Sequence, residues 1–413
     1  MMKIVHIVSK DTGGAARAAI RINTALNQVQ CESSVLVLHK STNEDVREIM
    51  HNRFVWRIFK GIRKINEINI SKNHLKGKFY EPIIGIPLEK NKIIQEADVI
   101  NLHWINDGML TYKEILKLEK LGKKIVWTMH DMYPFTAGCY YDNECGKYKD
   151  SCKKCILAED ALKREKYIQK IFRKKYAVYQ RTNITFVGCS NWISNCARRS
   201  TLTKKHDVYT INNPIDMSIF KPIEKEMAFK KFNIVTSKKV IAFGAMQSDS
   251  DPRKGYKYLI KTLKYLNSEE YLLVVFGNND NSKTNSFYDF EVKSVGKIES
   301  DDQLVALYSM ADVFVAPSVQ ENLSNAVMES LACGTPVVAF NIGGMPDLIE
   351  NKKNGYLAEP YKADDLAEGI KFCTENNLEN ACITYVKNHF DMKLIGNRYK
   401  SIYSGEKMQN DCI

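Results

Sequence analysis

A chain of 413 residues with 44% hydrophobic and 26% charged residues has an ordinary globular composition, long enough for two or three domains and for a core that needs no staples. That composition excludes wholesale disorder, and no uncharged apolar run approaches the ~20 residues of a bilayer-spanning helix, which argues against an integral membrane protein. Lys plus Arg number 60 against 48 Asp plus Glu, a net charge of +12, which points to an anionic partner: nucleic acid, an acidic membrane surface or a phosphorylated substrate.

The first apolar run, residues 4–8, reads as a strand. It is too short for a signal-peptide core, so the expected location is the cytoplasm. A turn over 11–14 leads into a helix over 15–28, rich in Ala and Leu. Compact apolar runs at 34–38, 99–102, 124–128, 185–189 and 208–211 predict further strands, buried on both faces of a parallel sheet. Helical stretches at 112–121 and 160–181 separate them. The loop-forming Asn212, Asn213, Pro214, Asp216 and Pro222 interrupt the series. A second series follows, with strands at 240–243, 272–276, 313–316 and 337–340 and helices at 255–266, 302–310, 325–332 and 363–374. The fold class is therefore α/β, two doubly wound domains facing a central cleft. The expected divisions are 1–212, 213–385 and a helical tail over 386–413 that packs back on the first domain. Ligands bind beyond the carboxyl ends of strands in such sheets.

Three loops hold the candidate chemistry. In PSVQENLSNAVMESLACGTPVVAF, Glu321 lies before a predicted helix and Glu329 about two turns into it, ~12 Å apart at 1.5 Å per residue. Between them the N–H groups near Leu323, Ser324 and Asn325 suit a diphosphate. The plain alternative is a βαβ unit with solvent-facing carboxylates. In DPRKG, Arg253 and Lys254 follow the strand ending at Gly244 and face the same strand-end crevice. Asp249, Ser250 and Asp251 form a D-x-D, read as turn chemistry rather than a metal site. In the first half, Asp11-Thr12-Gly13-Gly14 lets a ligand approach a helix start. Neither a G-x-G-x-x-G nor a P-loop is present. His103 and His130 each lie just beyond a predicted strand end.

These segments, read whole, resemble the E-x7-E signature of the retaining glycosyltransferase family 4, with Gly334-Thr335-Pro336-Val337-Val338 following it. The linker at 211–222, DPRKG, Phe276-Gly277, ADVFVAPS and NIGGMPDLI match in order. HDMYPFTAGC resembles the subgroup of colanic-acid and exopolysaccharide transferases. The resemblance implies a GT-B fold and transfer from a nucleotide diphosphate sugar to a hydroxyl of a glycan or lipid-linked glycan in polysaccharide or O-antigen assembly. It implies catalytic roles for His130, Glu321 and Lys254, and donor contacts from Gly14, Arg253, Lys254, Asn322, Leu323, Ser324 and Glu329. It also implies no metal for the transfer step. Ala245 stands where that family usually has Arg, a charge that Arg253 would replace. A nucleotide-sugar epimerase of the same architecture and a basic nucleic-acid-binding protein are the alternatives.

Two features lie beside that frame. Cys139, Cys145, Cys152 and Cys155, spaced C-x5-C-x6-C-x2-C, can wrap one structural zinc; a redox-sensitive loop, two disulfides or unrelated thiols are the other readings. Residues 53–78 interleave basic and apolar side chains. That pattern is either a solvated helical face or a patch that docks on the anionic inner face of the cell membrane.

Overall fold

The computed structural model describes residues 1–49, 79–156, 162–244, 251–277 and 287–406, together with positions 57, 60, 61 and 64. Its chain divides into two compact units, Met1–Pro214 with Met392–Ile413, and Ile215–Asp391.

The first unit is built on a parallel sheet of seven strands: β1 (Lys3–Ile7), β2 (Glu32–Val37), β3 (Arg47–Glu48), β4 (Val99–Leu102), β5 (Lys124–Met129), β6 (Ile184–Gly188) and β7 (Val208–Thr210). Their order is β3-β2-β1-β4-β5-β6-β7. Its helices are α1 (Gly14–Gln28), α2 (Lys92–Glu96), α3 (Tyr112–Glu119), α4 (Leu162–Tyr179) and α5 (Asn191–Arg199). Side chains supply the missing acceptors at several helix starts. Asn91 caps α2, Ser190 caps α5, and Thr111 with Glu114 forms a capping box on α3. Every residue of β4 is buried, as the uninterrupted apolar run requires of a central strand covered on both faces.

The second unit has six parallel strands: β8 (Lys239–Gly244), β9 (Tyr271–Phe276), β10 (Glu291–Gly296), β11 (Val313–Ala316), β12 (Val337–Phe340) and β13 (Gly355–Ala358). They run in the order β10-β9-β8-β11-β12-β13. Helices α6 (Lys225–Lys231), α7 (Tyr256–Leu263), α8 (Asp301–Met310), α9 (Asn325–Ala332), α10 (Ala363–Glu375) and α11 (Glu379–Phe390) complete it. The last helix, α12 (Met392–Ser404), returns to the first unit. There Ile395, Tyr399, Ile402 and Tyr403 join Ile22 and Leu26 of α1 in one buried cluster.

In both sheets the strand order reverses beside the first strand, between β1 and β4 and between β8 and β11. Connections on the two sides of that point leave in opposite directions, so a crevice opens at the strand ends there. The division near residue 214 falls in the expected linker. The second division falls at 391/392 rather than at 385/386, because α11 is one helix whose Cys382, Val386 and Phe390 are buried in the second unit.

Candidate active site

In the second unit the switch point brings Lys254 and Glu321 together across 67 residues of chain. Lys254 Nζ donates to Glu321 Oε2 at 2.6 Å. The lysine side chain is 43% exposed and the carboxylate 11%. Burial pushes the Glu321 carboxyl up, but the adjoining Lys254 charge and hydrogen bond, the Arg253 charge and the Asn322 N–H outweigh it, so the group sits below the ordinary carboxylate range. It is ionised at neutral pH.

Two glycines make this approach possible. Gly255 has φ +71°, and a Cβ there would stand 1.7 Å from the Pro317 carbonyl oxygen. Gly343 has φ +54°, and its Cβ would stand 2.0 Å from the Glu321 carbonyl oxygen. Each lets one strand-end loop lie against another. The loops are stitched by Val319 N–H to the Arg253 carbonyl at 2.7 Å and by Gly344 N–H to the Glu321 carbonyl at 3.2 Å.

Arg253 turns a different way. Its Nε and Nη2 grip Asp251 Oδ1 and Oδ2 at 3.0 and 2.5 Å, and Asp251 also caps the short turn Pro252–Lys254. This is the fork-to-carboxylate pairing of a guanidinium. Asp251 thus has a structural partner, while Asp249, Ser250 and Ala245 lie outside the described residues.

Around α9, Ser324 is the N-cap, accepting from Val327 N–H at 3.4 Å, and Asn322 N–H donates to its neighbour Glu321 Oε1 at 3.2 Å. Those two donors are engaged within the protein. The helix begins at Asn325, so Glu329 is its fifth residue, little more than one turn in, and the helical ruler from Glu321 does not apply. Glu329 is 2% exposed, Leu323 8%.

In the first unit, His103 and His130 follow β4 and β5, and they touch. His103 Nδ1 lies 2.9 Å from His130 Nε2, with the rings stacked at 16°. His103 Nε2 lies 2.8 Å from Nδ1 of His6, a fully buried residue inside β1 that the sequence reading passed over. The signal was available: His6 alternates with Ile4 on one face of a strand, beside Asn101 in register. Near α1, Asp11 accepts from the backbone and side chains of Ser41 and Thr42 at 2.5–2.9 Å, which fixes the turn leading to Gly13 (φ +92°) and the exposed Gly14.

The cysteine loop packs on the first unit's core, with Cys139, Cys152 and Cys155 buried. Burial raises the Cys139 thiol well above its usual range, and the three other thiols add to that; Cys152 is pushed up to about 12. Non-glycine residues 143, 144, 151, 152 and 154 all have positive φ, so the loop is tightly wound. Among the described residues, no group of three or more His, Cys, Asp or Glu side chains is placed to hold a metal ion. Beneath the loop, fully buried Lys175 donates to the carbonyls of Tyr133 and Thr136 and lies 3.9 Å from the Tyr133 ring; burial lowers its pKa to about 7. The basic stretch 53–78 lies outside the described residues except positions 57, 60, 61 and 64. Among the described residues no helix is long and apolar enough to cross a membrane.

Solved structures share this fold. A sucrose-phosphate synthase from Thermosynechococcus elongatus matches with a TM-score of 0.65 at 16% identity, covering 98% of this chain and 99% of that one. Anabaena Alr3699/HepE, solved in complex with UDP-glucose, matches at 0.64 and 15%, covering 98% and 100%. The fold is that of the GT-B glycosyltransferases. The family described as Glycosyl transferases group 1 matches residues 224–389. The second unit therefore holds a group 1 glycosyltransferase domain. One relative in sequence is a Campylobacter jejuni N,N'-diacetylbacillosaminyl-diphospho-undecaprenol alpha-1,3-N-acetylgalactosaminyltransferase, 28% identical over 200 residues, covering 46% of this chain and 52% of that enzyme. The chain spans about half or less of the length of the curated relatives it matches first.

Proposed function

We propose that the protein is a retaining glycosyltransferase that moves a sugar from a nucleotide diphosphate sugar to a hydroxyl of a glycan or lipid-linked glycan in cell-surface polysaccharide assembly. The observation that supports this reading is the Lys254–Glu321 pair at the β8/β11 switch point, inside the segment matched by the group 1 family. A lysine held against a carboxylate before the donor arrives is a preorganised cation for a leaving diphosphate. The front of α9 adds its partial positive charge. Glu321, once Lys254 turns to phosphate, accepts from a hydroxyl of the sugar. Glu329 accepts from the nucleotide ribose, and Gly14 gives the donor close backbone approach. His130 contacts the transferred sugar. The leaving phosphate takes the acceptor's proton, so no side chain acts as a covalent nucleophile. Arg253, tied to Asp251, acts at longer range through its charge. Residues 53–78 hold the enzyme on an anionic leaflet near its acceptor.

The test is a panel of nucleotide diphosphate sugars read by thermal stabilisation, followed by turnover with an acceptor. Stabilisation by one donor and release of its nucleoside diphosphate only with acceptor present support the reading. Interconversion of the donor's sugar without acceptor would favour an epimerase instead.

A further inference from the structure

The first unit's strand ends hold a continuous line of polar atoms. Ser33 Oγ lies 3.1 Å from His6 Nε2, His6 Nδ1 2.8 Å from His103 Nε2, and His103 Nδ1 2.9 Å from His130 Nε2. The sheet explains why these four meet. Ser33 is in register with Ile4, two residues before His6 on the same face of β1; His6 is in register with Asn101, and His103 is two residues beyond it. Asn101 is in register with Val126, so Thr128 and then His130 continue that face of β5. The same face is apolar at its other end, where Ile4, Val99 and Val126 pack under α1 and α12. The line therefore runs diagonally over four neighbouring strands, from a half-exposed serine to the residue assigned above to the sugar.

We propose that Ser33, His6 and His103 are positioning residues that tie the tautomer of His130 to their own, so that the three rings hold their protons on the same nitrogen. This inference rests on the proposed role of His130. Its physical basis is the count of protons in the line. A neutral imidazole has one N–H and one bare nitrogen. Each link joins Nδ1 of one ring to Nε2 of the next, and each link has room for one proton. One choice then fixes all the others: the three rings are all protonated on Nδ1 or all on Nε2. In the first state Ser33 donates into the line and His130 presents Nδ1–H at its outer nitrogen. In the second Ser33 accepts and His130 presents a bare Nδ1. The serine hydroxyl serves either state because it both donates and accepts. Reversal from the first state to the second takes one proton from water at Ser33, shifts one across each link, and releases one from His130 Nδ1, with no ring charged before or after. Neutrality is what the surroundings favour. Burial alone lowers His6 to about 3 and His130 to about 4, and His103 is lowered by burial and by the two rings beside it.

The test uses nitrogen-15 histidine NMR on the full chain at neutral pH, which reads the protonated nitrogen of each ring directly and needs no substrate. The expected result is one tautomer common to His6, His103 and His130. Rings of mixed tautomer, or a charged ring among the three, would overturn the proposal. In His103→Leu the His130 signals should shift away from the parent's tautomer balance, and His103→Gln, which keeps a donor and an acceptor, should restore part of the bias. Should His103→Leu fail to fold, Ser33→Ala reads the line from its half-exposed end. A changed tautomer balance at His130, two rings away, supports the line, and an unchanged one overturns it. With a working donor, His103→Leu should lower kcat by about tenfold or more while changing KM little, as for a residue that holds another's tautomer. Absence of turnover with every donor would sink the glycosyltransferase reading and leave the NMR result standing.

Discussion

The two switch points follow one topology and use opposite electrostatics. At β1/β4 the polar groups are imidazoles, buried or half-buried and held neutral, linked nitrogen to nitrogen. At β8/β11 they are a half-exposed ammonium and a nearly buried carboxylate, both charged. Burial penalises charge at both places, and at the second a counter-charge stands within hydrogen-bond distance of the carboxylate. A Rossmann crevice thus fixes where functional groups gather and leaves their ionisation to their immediate neighbours.

The largest test of that contrast removes the counter-charge. Lys254→Ala should cost on the order of 2–4 kcal/mol in transition-state stabilisation, a fall in kcat of roughly thirtyfold to several hundredfold. A kcat within threefold of the parent would mean that the ammonium does not face the leaving group. Next comes the backbone that lets the pair form. Gly255→Ala puts a Cβ against Pro317 at a positive φ and should destabilise the second unit by ~1–3 kcal/mol in urea unfolding. An unchanged midpoint would show that the loops part easily.

Acid should separate the two regions. His6 and His130 of the first unit bind protons near pH 6.5 when unfolded but only near 3 and 4 when folded. Their share of stability is present above ~6.5 and falls as pH drops through that window, by about 1.4 kcal/mol per pH unit for each ring still neutral. Glu321 is also depressed, but from a carboxylate's value, so its share persists until about pH 4.5 and is lost below it. Probes in each unit should show the first weakening at the higher pH; simultaneous loss near pH 4 would contradict the contrast. Arg253→Ala should have a smaller effect, less than about threefold in kcat, because its guanidinium is committed to Asp251. A loss equal to that of Lys254→Ala would show that it substitutes for the Arg absent at Ala245. The smallest expected effect concerns the cysteine loop. Metal analysis of reduced protein should read about one zinc per chain if the loop closes on an ion. Zinc-free, folded, active protein would retire that expectation.

Much of this was legible in the sequence where one physical signal dominates. β4, β11, β12 and α9 fall where the apolar runs and the predicted helix over 325–332 put them. The edge strand β10 was not legible, because its side chains are largely exposed and its polar composition matches a loop. α2 and α6, of 5 and 7 residues, are too short to show a period. Of the site, Lys254 and Glu321 could be named from their loops. Their contact could not, since it depends on two glycines whose backbone angles only the fold reveals. His6 was hidden for the opposite reason: within a strand it reads as one more core position.

The return of α12 to the first unit sets an order of assembly on the ribosome. Residues 215–391 form a contiguous unit that can fold as soon as they emerge. The first unit begins to emerge earlier yet is finished later, since Ile22 and Leu26 of α1 await Ile395, Tyr399, Ile402 and Tyr403. The fit is close: a Cβ on Gly396 would stand 2.5 Å from the Ala25 carbonyl oxygen. Until that helix arrives, the nascent chain shows an apolar stripe that a chaperone can bind. A chain stopped at Asp391 would keep a complete second unit and an open seam on the first.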